Sequence, residues 1–349
     1  MRSGATTMVV TVVMSQTIKS NPSAVSPDQH NLKHLLSSRL DQIGLMRCDT
    51  CGREAVLYQK YSGLHLCPKH FTADLEAKAK RTIRTHRWLR PHDHIGVLLS
   101  GGAAGSALLF FLQTLTARRR DVRVSAIIID EGIRGYREAV KAQRTAELLG
   151  ADYYAGSFQE HYGVTMDEIV RTSGAADACL TCRVLREALI AGIAHRHGIT
   201  KIACGTSLDD GAREMLLGVL TGTIERALLP YYIPGPGGIP VIRPFMYVPR
   251  DEIGRYAAAM YPDEPAAGST GCPYGTGSSL FQDVSAMLDT YNDRHPATLF
   301  ALVNLREHLA GAVRDTESPL PVCATCGRPV TAGSCDVCRI LGKYSRGIS

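Results

Sequence analysis

The sequence predicts an α/β domain built on a parallel sheet, with a small cysteine-rich module at each end. Three observations carry that prediction. From Ile95 onward, short apolar runs alternate with amphipathic segments in a β-α-β-α rhythm. Eleven cysteines are present, and most fall in Cys-x-x-Cys or Cys-x-x-His pairs near either end of that region. Hydrophobic residues make up 45% and charged residues 21% of the 349, which excludes a mostly disordered, collagen-like or coiled-coil chain. No apolar run reaches the roughly 20 residues that span a bilayer, so no membrane partner is expected. Lys+Arg 39 against Asp+Glu 33 gives +6, a balance that permits a nucleic-acid or nucleotide partner. An odd number of cysteines in metal-ligand spacing points to a reducing, cytoplasmic setting.

Residues 1–44 hold an apolar β-branched run, Thr6 to Met14, and then a Ser/Asn/Pro-rich stretch. The expectation is a disordered extension, or a gene start placed too early with Met46 as the true start. Residues 45–72 form a Cys/His module. A basic helix is expected over 73–90, within a linker running to residue 94. Leu75, Ala79, Ile83 and Trp88 make one stripe, with Lys and Arg on the other positions and Pro91 beyond the end. The α/β domain is then placed at 95–318. Strands are predicted at Ile95–Leu99, Val122–Ile129, Asp152–Ala155 and Lys201–Cys204. Val241–Arg243 reads as an edge strand. Helices are predicted at Ala107–Leu115, Tyr136–Leu149, Cys182–His197, Asp209–Leu220, Arg250–Met260, Ser279–Asp289 and Ala297–Ala310. Residues 319–349 carry the second cysteine module.

Cys48-x-x-Cys51, fifteen residues, then Cys67-x-x-His70 is zinc spacing. Cys323-x-x-Cys326, eight residues, then Cys335-x-x-Cys338 is a four-thiolate zinc site. Both sets have four protein ligands and no open position, so the two Zn2+ sites read as structural. Modules this small depend on the metal for folding free energy. Cys179-x-x-Cys182 has no second pair beside it. With Cys272, in Gly-Cys-Pro-Tyr-Gly, it offers three thiolates. Three thiolates suit a [4Fe-4S] cluster with one open iron, a catalytic dithiol with a resolving partner, or no shared chemistry at all. Cys204 lies in an apolar strand and reads as a small buried hydrophobe.

Ser100-Gly101-Gly102 follows the first strand, and Gly105 and Ser106 come next. Small residues there let backbone N–H groups approach a phosphate, and a helix N-terminus adds positive potential. No Gly-Lys-Ser/Thr follows, so this is not a Walker loop. The alternative is tight packing only. Two further strand ends carry polar loops, Asp130-Glu-Gly-Ile-Arg-Gly-Tyr136 and Cys204-Gly205-Thr-Ser-Leu-Asp209-Asp210. Ligands of parallel sheets bind beyond the carboxyl ends of the strands, where these loops would meet. The nucleotide-binding candidates are therefore Ser100, Gly101, Gly102, Gly105, Ser106, Asp130, Gly205 and Asp210. Asp209 and Asp210 either recruit Mg2+ or cap the following helix.

Taken in order, these motifs form a pattern. A Cys-x-x-Cys…Cys-x-x-His finger precedes Ser-Gly-Gly and Asp-Glu-Gly-Ile-x-Gly-Tyr-Arg. Cys-x-x-Cys opening a helix, Gly-x-x-Leu-Asp-Asp, Cys-Pro-Tyr and a four-cysteine finger follow. From about Met46 to the C-terminus the chain resembles the TtuA-type tRNA 2-thiolation proteins of the PP-loop ATP-pyrophosphatase class. The resemblance implies a Rossmann-like domain that uses ATP and Mg2+ to adenylate the C2 oxygen of a tRNA uridine, after which sulfur replaces that oxygen. It implies that Cys179, Cys182 and Cys272 hold an oxygen-sensitive [4Fe-4S] cluster, whose fourth iron carries sulfide received from a ubiquitin-like sulfur carrier. Arg186 falls where the family places a basic catalytic residue, and Asp209 joins it and the cysteines in the catalytic set. A homodimer, or a heteromer with a paralogue, is also implied.

The chain departs from the family pattern at two loops. The family's Ser-Gly-Gly-Lys-Asp-Ser reads here Ser100-Gly-Gly-Ala-Ala-Gly-Ser106, one residue longer and without Lys or Asp. The family's Gly-His-Asn-x-Asp-Asp has become Gly205-Thr-Ser-Leu-Asp-Asp210. The alternative function is accordingly a non-catalytic tRNA-binding or regulatory subunit of a thiolation complex.

Overall fold

The computed structural model describes residues 46–174, 178–223, 232–233, 238–260, 272–274, 279–313, 323 and 335–344. The expectation for residues 1–44 lies outside them, as does Cys326.

The first module is a hairpin, β1 (Leu57–Gln59) and β2 (Leu64–Leu66), beneath a knuckle at Cys48–Gly52. Gly52 has φ +69°, the left-handed turn that lets its N–H reach the Cys48 carbonyl. Helix α1 (Pro68–His86) starts directly from Cys67, with proline in its first turn, where a missing N–H costs nothing. It therefore begins five residues before the predicted start. It stops at Arg87, whose left-handed backbone turns the chain before Pro91 acts. Phe71, Leu75, Ala79 and Ile83 make the buried stripe.

The sheet holds β3 (His94–Leu99), β4 (Arg123–Asp130), β5 (Tyr153–Ser157), β6 (Lys201–Ala203), β7 (Tyr232–Ile233) and β8 (Ile239–Ile242). Their order is β5-β4-β3-β6-β8-β7, parallel except for β7. β8 is thus interior rather than the predicted edge, because β7, only two residues long, pairs antiparallel with its outer side. A strand that short leaves no alternation to read in a sequence.

Both faces are covered, as near-continuous apolar strands require. In β4, Ala126 and Ile128 face one core with α1, α2 (Ala103–Thr116), α3 (Glu138–Leu148) and α8 (Arg250–Met260). Ile127 and Ile129 face the other, with α4 (Phe158–Tyr162), α5 (Met166–Ser173) and α6 (Ala178–Arg196). The second core also takes in Cys335, Val337 and Ile340, so α11 (Asp336–Tyr344) of the C-terminal module packs on it. A third cluster joins α7 (Leu208–Leu220), α9 (Ser279–Arg294) and α10 (Thr298–Val313). The short helices α4 and α5 were not predicted, yet Thr165-x-x-Glu168 is a capping box legible in the sequence.

The chain runs outward from β3 through β4 to β5, then returns to β3's other side as β6. That reversal opens a crevice at the carboxyl ends of β3 and β6. At the opposite rim, buried Asp93 pairs with Lys201 at 2.5 Å and accepts from Thr200 Oγ1. The N-terminal module is bound to α8 by a polar network. Glu252, on α8, accepts from Tyr61 Oη at 2.5 Å, Gln59 Nε2 at 3.1 Å and Lys78 Nζ at 3.4 Å. Among the described residues no helix is long and apolar enough to cross a membrane.

Candidate active site

A pocket opens at the ends of β3 and β4. Leu98, Ile129 and Ile190 form its apolar wall, and Ser100, Glu131, Tyr136, Glu138 and Arg186 supply its polar groups. Arg186 is the one cation among the lining residues. Its Nε and Nη2 both donate to Glu131 Oε1, at 2.9 and 2.6 Å. Glu138 accepts from Lys141 Nζ at 2.8 Å. Both carboxylates thus have a cation beside them, which spares an anionic ligand their full repulsion. Burial, with Glu138 and Glu131 nearby, raises the Tyr136 hydroxyl's pKa, so it remains a hydrogen-bond donor.

The first loop is held by glycines. Gly101 has φ +76°, and a Cβ there would stand 2.6 Å from the Glu138 carbonyl. Gly102 is the N-cap of α2, so Ala103 and Ala104 open the helix with first-turn N–H groups facing the crevice. Gly105 is buried against β3, where a Cβ would meet the Leu98 carbonyl at 2.9 Å. Ser106 turns its hydroxyl back onto the Gly102 carbonyl at 3.2 Å. Gly205, after β6, lies on the start of α2, and a Cβ would come within 2.6 Å of the Ala104 carbonyl oxygen. These contacts bring the first and third loops together. Asp130 Oδ1 accepts from Gly132 N at 2.9 Å and tightens the second loop.

Asp210 closes a capping box on α7, accepting from the Ser207 amide at 3.0 Å and hydroxyl at 2.7 Å. Its other oxygen pairs with the Arg250 guanidinium and, at 3.5 Å, with Arg213. Burial raises its pKa, but Ser207 and Arg250 outweigh that and hold the carboxyl below its usual range. Asp209 accepts from the Arg250 amide at 2.7 Å. Arg250 thus stands where a divalent cation would approach the pair. This donor set, as arranged, does not fit Mg2+.

Cys179 and Cys182 lie in the first turns of α6, with Arg186 one turn further along. The Cys179 thiol donates to the Tyr274 carbonyl at 3.5 Å, which brings the segment holding Cys272 over the helix start. Tyr274 Oη donates to Asp167 at 2.6 Å, and Asp167 also accepts from the Arg134 amide at 2.9 Å. Asp167 therefore ties the Cys272 segment to the second loop. Burial pushes the Cys182 thiol up to about 11, partly offset by Arg186. Cys272 and Cys182 pack into the same core as Cys204, whose thiol burial also pushes up to about 11. The three thiols do not form the tight cage of a single-ion site. Three thiols, two on one helix start and one on the segment bonded to it, are the donor chemistry of a [4Fe-4S] cluster with one open iron.

The finger ligands are closer. Cys48, Cys51, Cys67 and His70 bring their ligand atoms within 4.8 Å of one another, as do Cys323, Cys335 and Cys338. Cys51 and Cys67 Sγ are 3.7 Å apart. Two Zn–S bonds of about 2.3 Å at a tetrahedral angle place sulfurs about 3.8 Å apart. Cys323 and Cys338 Sγ are 3.9 Å apart. The first set fits a tetrahedral ion, and the three described cysteines of the second have the same close spacing.

Residues 47–72 match the model of the 2-thiouridine synthetase TtuA N-terminal LIM domain, and residues 71–261 match the PP-loop domain. The chain is 30% identical to the tRNA 2-thiolation protein NcsA of Haloferax volcanii, over 85% of this chain and 98% of the relative. The chain belongs to the TtuA/NcsA-type tRNA 2-thiolation family. It is 29% identical to the cytoplasmic tRNA 2-thiolation protein 1 of Chlamydomonas reinhardtii, over 87% of this chain and 85% of that one. Its fold matches the U34-tRNA thiolase NcsA from Methanococcus maripaludis, solved with its [4Fe-4S] cluster. There the TM-score is 0.72 and the identity 25%, over 86% of this chain and 96% of that chain.

Within this TtuA/NcsA-type frame, sequence reasoning picked out the three loops, the three cysteines and Arg186. It did not pick out Glu131, Glu138, Tyr136 and Asp167 as parts of the site. Glu131 and Tyr136 stand inside the motif after β4, next to residues that were chosen. Asp167 offered only the signal of an acidic residue in a helix's first turn. No spacing rule links it to Tyr274, 107 residues away.

Proposed function

We propose that the protein is a cytoplasmic tRNA-uridine 2-sulfurtransferase. The observation that carries the reading is the convergence of Cys179, Cys182 and Cys272 beside a phosphate-type loop, with Arg186 between them. ATP is the co-substrate. The amides at Gly102–Ala104 and the N-terminal field of α2 bind its phosphates without a side chain. The uridine C2 oxygen displaces pyrophosphate from ATP, and Arg186, held by Glu131, stabilises the charge that develops. The apolar wall of Leu98, Ile129 and Ile190 keeps water from the activated base.

A [4Fe-4S] cluster on Cys179, Cys182 and Cys272 supplies an iron with an open position for sulfur. The protein's own part is to fix these thiolates on one helix turn and one tied segment. Tyr274 and Asp167 set the position of the third. Asp209 and Asp210 hold Arg250 and shape the third loop. The modules at 45–72 and 319–349 each bind one zinc and brace the domain at 95–318. A ubiquitin-like protein thiocarboxylate serves as sulfur donor, and the chain pairs with itself or a paralogue.

Thionucleoside analysis of tRNA from a deletion strain tests the reading. 2-Thiouridine should disappear and return with the wild-type gene and with Cys204→Ala. It should not return with Cys272→Ala. Unchanged thiouridine in the deletion strain would refute the function.

A further inference from the structure

The carboxyl ends of the strands carry the pocket, and the amino ends carry something else. Arg84 and Arg87 close α1, and Arg90 begins the turn into β3. The His92 amide donates to the Asp121 carbonyl at 2.7 Å, and the Arg123 amide to the Asp93 carbonyl at 2.9 Å. These bonds seat the Arg118–Arg120 turn and Arg123 beside Arg90. Arg196, at the end of α6, joins the same rim, since the Thr200 amide donates to the His94 carbonyl at 2.8 Å.

Arg84, Arg87, Arg90, Arg118, Arg120, Arg123 and Arg196 are all exposed. Their side chains enter no hydrogen bond or ion pair among the described residues. The acids on the rim are partly neutralised. Asp93 is paired with Lys201 and Asp121 with Arg119, which leaves Asp152 and, at the end of α3, Glu147 exposed. Seven arginines against these two acids leave the rim an excess of five, most of the +6 formal charge of the entire chain. The remainder of the molecule is therefore near neutral, and the rim is where its charge resides.

We propose that this amino-end rim is a second RNA-binding surface, which grips the tRNA backbone away from the reacting uridine. The proposal rests on the tRNA reading above. β4 has eight residues, so pocket and rim lie about 26 Å apart. A nucleotide cannot bridge that span, and a folded RNA can. Arginines without partners suit phosphate contacts, which set affinity and register but carry no sequence information. Exposed Arg81, one turn before Arg84, extends the basic track along α1 toward the N-terminal finger.

The test is the salt dependence of tRNA binding. Each lost phosphate contact lowers the slope of log K against log salt by about 0.7–0.9. Replacing Arg84, Arg90, Arg118 and Arg120 with Ala should reduce the slope by about 3 and weaken binding at least roughly tenfold. ATP affinity should not change. The corresponding Lys variant should keep the slope. The pairs Arg84/Arg90 and Arg118/Arg120, changed separately, should each take about half the effect, and they serve if the quadruple variant unfolds. An unchanged slope in the Ala variants would overturn the proposal. So would loss of binding to anionic vesicles with tRNA binding intact, which would make the rim a lipid surface. Failure of the wild-type protein to bind tRNA at all would instead overturn the functional reading on which this one stands.

Discussion

Glu131→Gln is the sharpest probe of the pocket. Both hydrogen bonds from Arg186 end on one oxygen of Glu131, which is 8% exposed, while Arg186 is 42% exposed. Removing one partner of a fully buried pair costs about 3–5 kcal/mol. Solvent reaches Arg186, so screening reduces this to about 1–2 kcal/mol of stability. The effect on reaction is separate. A positioned electrostatic donor is worth about 2.7–4 kcal/mol in the transition state. Gln still accepts a hydrogen bond, so Arg186 is loosened rather than lost, and roughly half of that value is expected. The thiolation rate should fall about 10- to 30-fold. ATP binding should change little, because the proposed ground-state phosphate contacts come from the α2 amides. The assay is single-turnover tRNA thiolation with pyrophosphate release, beside thermal unfolding. Glu131→Asp should recover part of the rate, since it restores the charge. A Gln variant that reacts at the wild-type rate would show that Arg186 needs no anchor and would refute the reasoning.

Three further outcomes follow from named contacts. Gly205→Ala forces a Cβ onto the Ala104 carbonyl, so it should destabilise by about 1–3 kcal/mol and weaken ATP binding, as read by denaturant titration and calorimetry. Burial, with Arg123 nearby, lowers the pKa of His94 below 6.5, so the unfolded chain binds the extra proton first. Stability should therefore fall as pH drops below about 6.5, and His94→Gln should flatten that limb of the melting curve; superimposable curves would show that His94 is not responsible. Stripping metal with a strong chelator should release about one zinc per finger and expose the amides of 47–72 to hydrogen exchange while β3 and β4 stay protected. Equal exposure of the strands would mean that the finger supports the sheet.

Strong local patterns were legible in the sequence. β3 and β4 fell within one residue of their predicted bounds at each end, because strands buried on both faces leave unbroken apolar runs. α2 begins at Ala103, four residues before its predicted start, because small residues that suit a loop equally suit a helix's first turn. The finger ligands were legible because metal spacing is a local property. The partners of those groups were not. Glu131 meets Arg186 across 55 residues and Asp210 meets Arg250 across 40, and ion pairing leaves no periodic trace. Asp209 and Asp210 could be read either as cation ligands or as helix caps, and only the position of Arg250 shows how their charge is used.

The network beneath the first finger also has a consequence for synthesis. Tyr61 and Lys78 leave the ribosome early, but their partner Glu252 is made 191 and 174 residues later. At about 5–20 residues per second the delay is roughly 10–40 s. Throughout it the nascent finger has no α8 to lean on, and a module this small does not hold together without its ion. With zinc as the proposed ion, its capture during translation would let the finger fold before α8 exists. A cell short of zinc would present α8 with an unfolded partner, and the shortage would be felt first in newly made chains and only later in finished ones.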